Sequence, residues 1–471
     1  MAYSFDNLST YLINMVDEAI NSTMHLNGYG GSTEKGFDGG DPPARVSPLG
    51  GRYEGSTFVP GGRITDPTGT LASSIHFNPG WPFHDLQSMQ DYYWKRVNEL
   101  FEDWYWIPTP TPPGATPGFD GPIAGARSTA SDLVFQADEV QTAGSTMFGG
   151  DPQLGSDLHD LDQLLTGLDG DAIRTFKLVY AYPLKDVTAS QEAVACAIWV
   201  AVAGEQKVWA KARQSIADIA GQGVEAMKSA KGGGGGDLSV LLDVIGSVAD
   251  IAGLFKPVEA AAKVVSTANS VIKTAYGDLP KPKPDNAPLH ADTPIGVLDK
   301  IHEAIETLKS QIKGEEAGIQ HAMTTDHATL TDPQEQRSFS LGTPALLSDT
   351  HGGDFKTAND IAIKFSDLKF AATTVMPRLS TVFRHASRGL ADVISSEASW
   401  KRPAGIGLGA TGPFPEVRTL ASTLGSYLDA NAQNIDHAAT ILEVVARDFH
   451  KTEDQISADL RALQKNLAGH H

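Results

Sequence analysis

Apolar residues recur every three or four positions through most of this chain, and one run of them is longer than the rest. Starting at Val187, the positions Val194, Ile198, Val202, Trp209, Ala212, Ile216, Ile219, Gly223 and Ala226 keep that step, with Gln191 and Glu205 as polar exceptions. Such spacing places them on one face of a helix. A helix over 186–230 would reach roughly 65 Å, too long to bury its own stripe, so the pattern demands partner helices. Five glycines, Gly232 to Gly236, close the run.

Shorter stripes follow the same period. Leu8, Leu12, Met15, Val16 and Ile20 predict a helix over 5–24. Met89, Tyr93, Val97, Leu100 and Trp104 predict a second, which must stop before Pro108. Helical segments are also expected over 124–143 and 155–168. Thr293 and Pro294 read as the cap and first turn of a helix carrying Ile295, Leu298, Ile301, Ile305, Leu308 and Ile312. Residues 326–354 read as a polar loop, and Pro377 as a break between helices at 355–375 and 379–394. Pro415 opens a last stripe through Val417, Leu420, Leu424, Tyr427, Asn431, Ile435, Ala438, Leu442, Val445 and Phe449. It resumes after Glu453 with Ile456, Leu460, Leu463 and Leu467.

The fold class these patterns imply is all-α, built from long antiparallel helical hairpins and bundles with Gly/Pro-rich loops. The expected organisation is an N-terminal helix and Gly/Pro-rich arm (1–80), a helical bundle (81–231), an apolar helical hairpin with a proline spacer (232–290), and a C-terminal helical bundle (291–471). Within the third part, 238–255 approaches membrane-spanning length. Asp243 and Asp250 lie on it, and each would cost roughly 2.5–3.5 kcal/mol at a bilayer centre. A hairpin packed on the 187–227 helix is therefore preferred over a membrane span.

Composition narrows the partners. A net charge of -20 and a pI near 5.0 argue against nucleic acid and against an anionic membrane surface. Cys196 is the single cysteine, set in an apolar run, so it reads as a small core residue. The N-terminus lacks the basic and apolar regions of a Sec-type leader.

Candidate chemistry is sparse. Gly407, Gly409 and Gly412 match a G-x-G-x-x-G spacing, but no strand precedes them and Pro413 and Pro415 follow, so a loop is expected and no dinucleotide. His302-Glu303 lacks the second histidine of a zinc helix. No catalytic residue, cofactor or metal is assigned, and a non-enzymatic protein is expected.

The turn Leu168-Asp169-Gly170, with the long helix after it, resembles the WXG family of helical hairpins, most closely the long actinobacterial relatives associated with type VII secretion. Leu168 stands at the position of that family's tryptophan, and Gly170 is the retained glycine. The resemblance implies a hairpin turn at these residues. Phe449-His450-Lys451-Thr452-Glu453 resembles the aromatic-x-x-x-acid secretion signal, with Phe449 in place of tyrosine and Glu453 as the acid. It implies protein partners (a second copy, other helical hairpins, the secretion machinery) and export from the cytoplasm by a type VII route. The alternative expectation is a membrane-active protein using 238–275. A weaker one is an enzyme or toxin without a legible motif.

Overall fold

The computed structural model describes residues 3–26, 52–54, 57–59, 83, 86–106, 118–134, 141–142, 145–146, 152–166, 176–230, 239–242, 244, 285–341 and 366–448. Among these the chain is all-α. The helices are α1 (Leu8–Leu26), α2 (Leu86–Phe101), α3 (Asp120–Leu133), α4 (Pro152–Leu165), α5 (Tyr182–Ser229), α6 (Pro294–Thr331), α7 (Met376–Ile394), α8 (Glu397–Trp400) and α9 (Phe414–Asp448). Extended structure is confined to three antiparallel pairs: β1 (Arg52–Glu54) with β2 (Thr57–Val59), β3 (Gln141–Thr142) with β4 (Ser145–Thr146), and β5 (Ser239–Leu242) with β6 (Asp285–Pro288).

Helix α5 is the axis. Its 48 residues span roughly 72 Å and are buried on nearly every side, from Leu184 to Met227. The reason is compositional: alanines on the faces between the larger side chains let neighbours approach all round. It is the one described helix long and apolar enough to cross a membrane, and 94% of its apolar window is buried inside the protein.

Two groups of helices share this axis. Along its N-terminal half lie α3 and α9, with α7 packed against both. Along its C-terminal half lie α1 and α6, with α2 against those two. Gln191 donates to the Phe339 carbonyl at 2.7 Å, and Asn431 donates to the same oxygen, so α5 and α9 are level at those residues. Further down, Ser22 donates to the Met227 carbonyl, and Met15 and Ile301 flank Gly223. Buried side chains on either side of 232–290 belong to one cluster.

Several boundaries match the patterns. Thr293 accepts from the Gly296 amide at 3.1 Å, with Pro294 in the first turn. Phe414 and Pro415 open α9, whose Val417, Leu420, Leu424, Asn431, Ile435, Ala438 and Leu442 are all buried.

Four expectations are corrected. Helix α6 does not stop before Asp326 but runs through it to Thr331, with Asp326 buried on the packed side of the helix, where desolvation pushes its carboxyl well above the ordinary range. Pro377 does not separate two helices. A π-turn at Ala371–Val375 precedes it and opens room for the ring. Pro183 likewise follows a π-turn at Lys177–Ala181.

The helix expected over 124–143 ends at Leu133, and β3 pairs with β4 across a two-residue connection that includes a glycine. The helix expected from 238 begins as a strand: Val240 and Leu242 are buried in alternation, as are Ala287 and Leu289 opposite, a period-two fit that a helix cannot make. The remainder of 238–275, apart from Val244, lies outside the described residues.

Candidate functional site

The strongest concentration of buried charge lies halfway along α5, where the two groups of helices meet. Glu205 projects from α5, Glu316 from α6, and Arg402 from the segment that leads into α9. All three side chains are essentially excluded from solvent. Arg402 Nη1 lies 3.0 Å from Glu205 Oε1, and its Nη2 pairs with Glu316 Oε1. Trp209, one turn after Glu205, donates from Nε1 to the same Glu205 oxygen at 2.8 Å. Its ring also lies under the Arg402 guanidinium, 5.1 Å from the centroid.

Local packing explains how Arg402 reaches this place. Trp400 is buried between Phe119, at 5.0 Å in an edge contact, and Phe414 at 5.7 Å. With Trp400 anchored, Arg402 two residues on is directed inward. Its amide donates to the Ala410 carbonyl at 2.9 Å, closing the glycine-rich segment over it.

That segment is the G-x-G-x-x-G of the sequence. Its glycines serve close approach to the ions. Gly412 (φ +53°) lies directly on the guanidinium, and Gly407 (φ +72°) lies directly on the Glu316 carboxylate. The Leu408 amide donates to Glu316 Oε2. The loop thus presents backbone to two charged groups, and a side chain at either glycine would collide with them.

Two acids meet one base here. Burial, and then the charge of Glu205, pushes the Glu316 carboxyl well above the ordinary range. Burial also raises Glu205, with Arg402 opposing the shift. One proton held between the two carboxyls would balance the cluster, leaving a neutral group of three ions and a proton. Chemically the arrangement is a pin: it joins α5, α6 and the approach to α9 through groups already engaged with one another.

Other polar interruptions of the stripes are also buried. Gln191 and Asn431 hold the Phe339–Leu341 turn, with Asn431 Oδ1 accepting from the Leu341 amide at 2.8 Å. Asp157 of α4 accepts from Gln153 at 2.8 Å and pairs with Arg378 at 3.3 Å. Cys196 is buried as expected, its thiol pushed up by burial. Four residues before it, Glu192 is raised to about 8 by desolvation.

The residues singled out by the hairpin and signal motifs, Leu168, Gly170, Phe449 and Glu453, all lie outside the described residues. The described residues flank each: α4 runs to Leu165, description takes up again at Phe176, and α9 is described as far as Asp448. The triad carries no motif in the sequence, although Glu205 and Glu316 each occupy an apolar stripe, Glu316 between Ile312 and Ile319. Among the described residues, no group of three or more metal-ligating side chains comes together. No protein-family model, no curated protein and no solved structure matches the chain.

Proposed function

We propose that this chain is a non-enzymatic helical protein that acts through helix-to-helix contacts and resembles a type VII secretion substrate. The observation that carries the reading is α9. It is a helix of 35 residues, buried along one face as far as Ala446, and it delivers the chain to Phe449 and Glu453 within five residues of its end. The charged groups at the centre of the bundle support the same reading, since they serve to join helices. Glu453→Ala is expected to abolish export from the native host while circular dichroism and melting stay unchanged, because surface substitutions away from special features usually alter stability by within about 0.5 kcal/mol. Export equal to the parent's would sink the signal. Gly170→Val tests the hairpin separately: a strained turn should cost about 1–3 kcal/mol, and an unchanged midpoint of unfolding would refute the assignment.

A second reading, membrane activity of the apolar 238–275 segment, draws support from the β5–β6 pair. Leu242 stands opposite Asp285, so the intervening chain leaves and returns at one point. Dye release from neutral liposomes, lost on deleting that segment, would favour it over the first.

A further inference from the structure

The ions at the centre of the bundle are walled unequally. Helices α5 and α6 present packed faces around them, with Val202, Val208, Ile312 and Ile319 all excluded from solvent. The third wall is the glycine-rich segment 403–412, a single thickness of backbone. Its inner side touches the ions: Gly407 lies on the Glu316 carboxyl, the Leu408 amide donates to Glu316, and Gly412 lies on the Arg402 guanidinium. Its outer side meets water. Ala404, Gly405 and Ala410 are exposed, and nothing stands within 4 Å of where a side chain at Gly409 would begin.

Two hydrogen bonds shape the segment from within, from the Arg402 amide to the Ala410 carbonyl and from the Ile406 amide to the Pro403 carbonyl. Neither fastens it to a helix. The bond from Leu408 to Glu316 does, and the buried Ile406 side chain adds to it. Four of its ten residues are Gly405, Gly407, Gly409 and Gly412, so holding it shut costs more conformational entropy than an ordinary loop. Contact with the ions must offset that cost.

The ions themselves do not balance. Glu205 and Glu316 share one guanidinium through its Nη1 and Nη2, two acids against one base. The flanking elements add further acids. In the turn Glu102–Trp106, the Asp103 carboxyl lies 4.0 Å from the Cβ position of Gly405. Asp120 of α3 accepts from Gln206 at 3.1 Å, and Glu416 of α9 accepts from Gln320, one turn beyond Glu316, at 2.8 Å. The nearest lysines in sequence, Lys207 and Lys401, stand partly or fully in solvent. With both carboxyls ionised, an uncompensated negative charge would remain where water does not reach, which is costly. A proton retained between them removes it for as long as the segment is shut.

We propose that segment 403–412 is a proton-linked cover: it closes over Glu205, Glu316 and Arg402 with one proton bound between the two carboxyls, and it opens to solvent as that proton is released. The closed state binds the proton more tightly than the open one, in which water solvates the carboxyls, so rising pH favours opening. The inference does not depend on the export reading.

Hydrogen–deuterium exchange of the full chain, followed in the peptide covering 403–412 at a series of pH values, tests it. After correction for the base catalysis of exchange itself, opening should rise about tenfold for each pH unit between about pH 6 and pH 8. A peptide from the middle of α5, Val194 to Val202, should stay protected throughout. Glu316→Gln, which cannot ionise, should hold the cover shut over the same range. Opening that does not change with pH overturns the proposal. So does exchange that rises together in the α5 peptide, which marks unfolding of the whole chain. If Glu316→Gln does not melt cooperatively, Glu205→Gln takes its place. A pH dependence in the folded glutamine variant equal to the parent's also overturns the proposal, because the proton then lies elsewhere.

Discussion

The middle of α5 and its N-terminal end meet their neighbours by opposite means. Midway, three ions and a tryptophan converge, and a glycine-rich loop lies on them without an intervening side chain. At the N-terminal end, two π-turns stand beside exposed leucine, tyrosine and phenylalanine side chains. The polar junction concentrates its contribution in a few atoms, each dependent on the others. The apolar end carries side chains that stand largely in solvent, where exchange is tolerated. Substitutions should therefore be severe and specific at the first and mild at the second.

The largest effect is expected at Arg402. Arg402→Leu leaves two buried carboxyls without their base, and breaking a buried pair by removing one partner costs about 3–5 kcal/mol. A denaturant midpoint within error of the parent's would show that the triad contributes nothing. Next comes Gly412→Val, which puts a branched side chain at φ +53° against the guanidinium. Backbone strain of this kind costs about 1–3 kcal/mol, and the collision adds to it. The same exchange at Gly409, also at positive φ but with open space around it, should cost less; equal losses would remove the ion contact from the explanation.

The third expectation concerns pH. Glu316 keeps a proton in the folded chain that the unfolded chain releases in the ordinary carboxylate range. Its stabilising contribution is thus complete at acid pH and is lost as pH rises through the folded value. Glu192 acts in the same sense, between the ordinary value near 4.5 and about 8. The parent should lose stability from mildly acidic to alkaline pH more steeply than Glu316→Gln, which cannot ionise. Parallel curves would contradict the retained proton. The smallest effect belongs to the apolar end: Phe370→Ser should move the midpoint by no more than about 0.5 kcal/mol. A loss matching that of Arg402→Leu would erase the contrast between the two regions.

Much of this contrast was written in the stripes. Glu205 was visible as a polar intrusion on an apolar face, and the caps at Thr293 and Pro415 located two helix starts. The meeting of Glu205 with Glu316 was not legible, since their separation of over a hundred residues is set by packing. Arg402 was hidden further, because it sits in a loop, where no period marks an inward side chain. The glycine triplet was legible as a loop, but only the fold shows why glycine is needed there. Asp326 misled in the other direction: a carboxylate suggests a solvated loop, yet here it is buried on a packed helix. Residues 239–242 misled because the short apolar run Val240-Leu241-Leu242 fits a helix and a strand equally well.

The two π-turns have a consequence for how the chain presents itself. Each places one residue more in a turn than an α-helix does, so the helix beyond it is rotated by about 100° relative to an uninterrupted one. Pro183 and Pro377 each stand two residues past such a turn, which ties the rotation to a position in the sequence. Leu178 lies within one turn, and Phe370 just before the other. A single-residue deletion in either would therefore do more than shorten a helix. It would swing the preceding side chains about the axis, turning apolar groups that now look outward toward the interior and carrying others out to solvent.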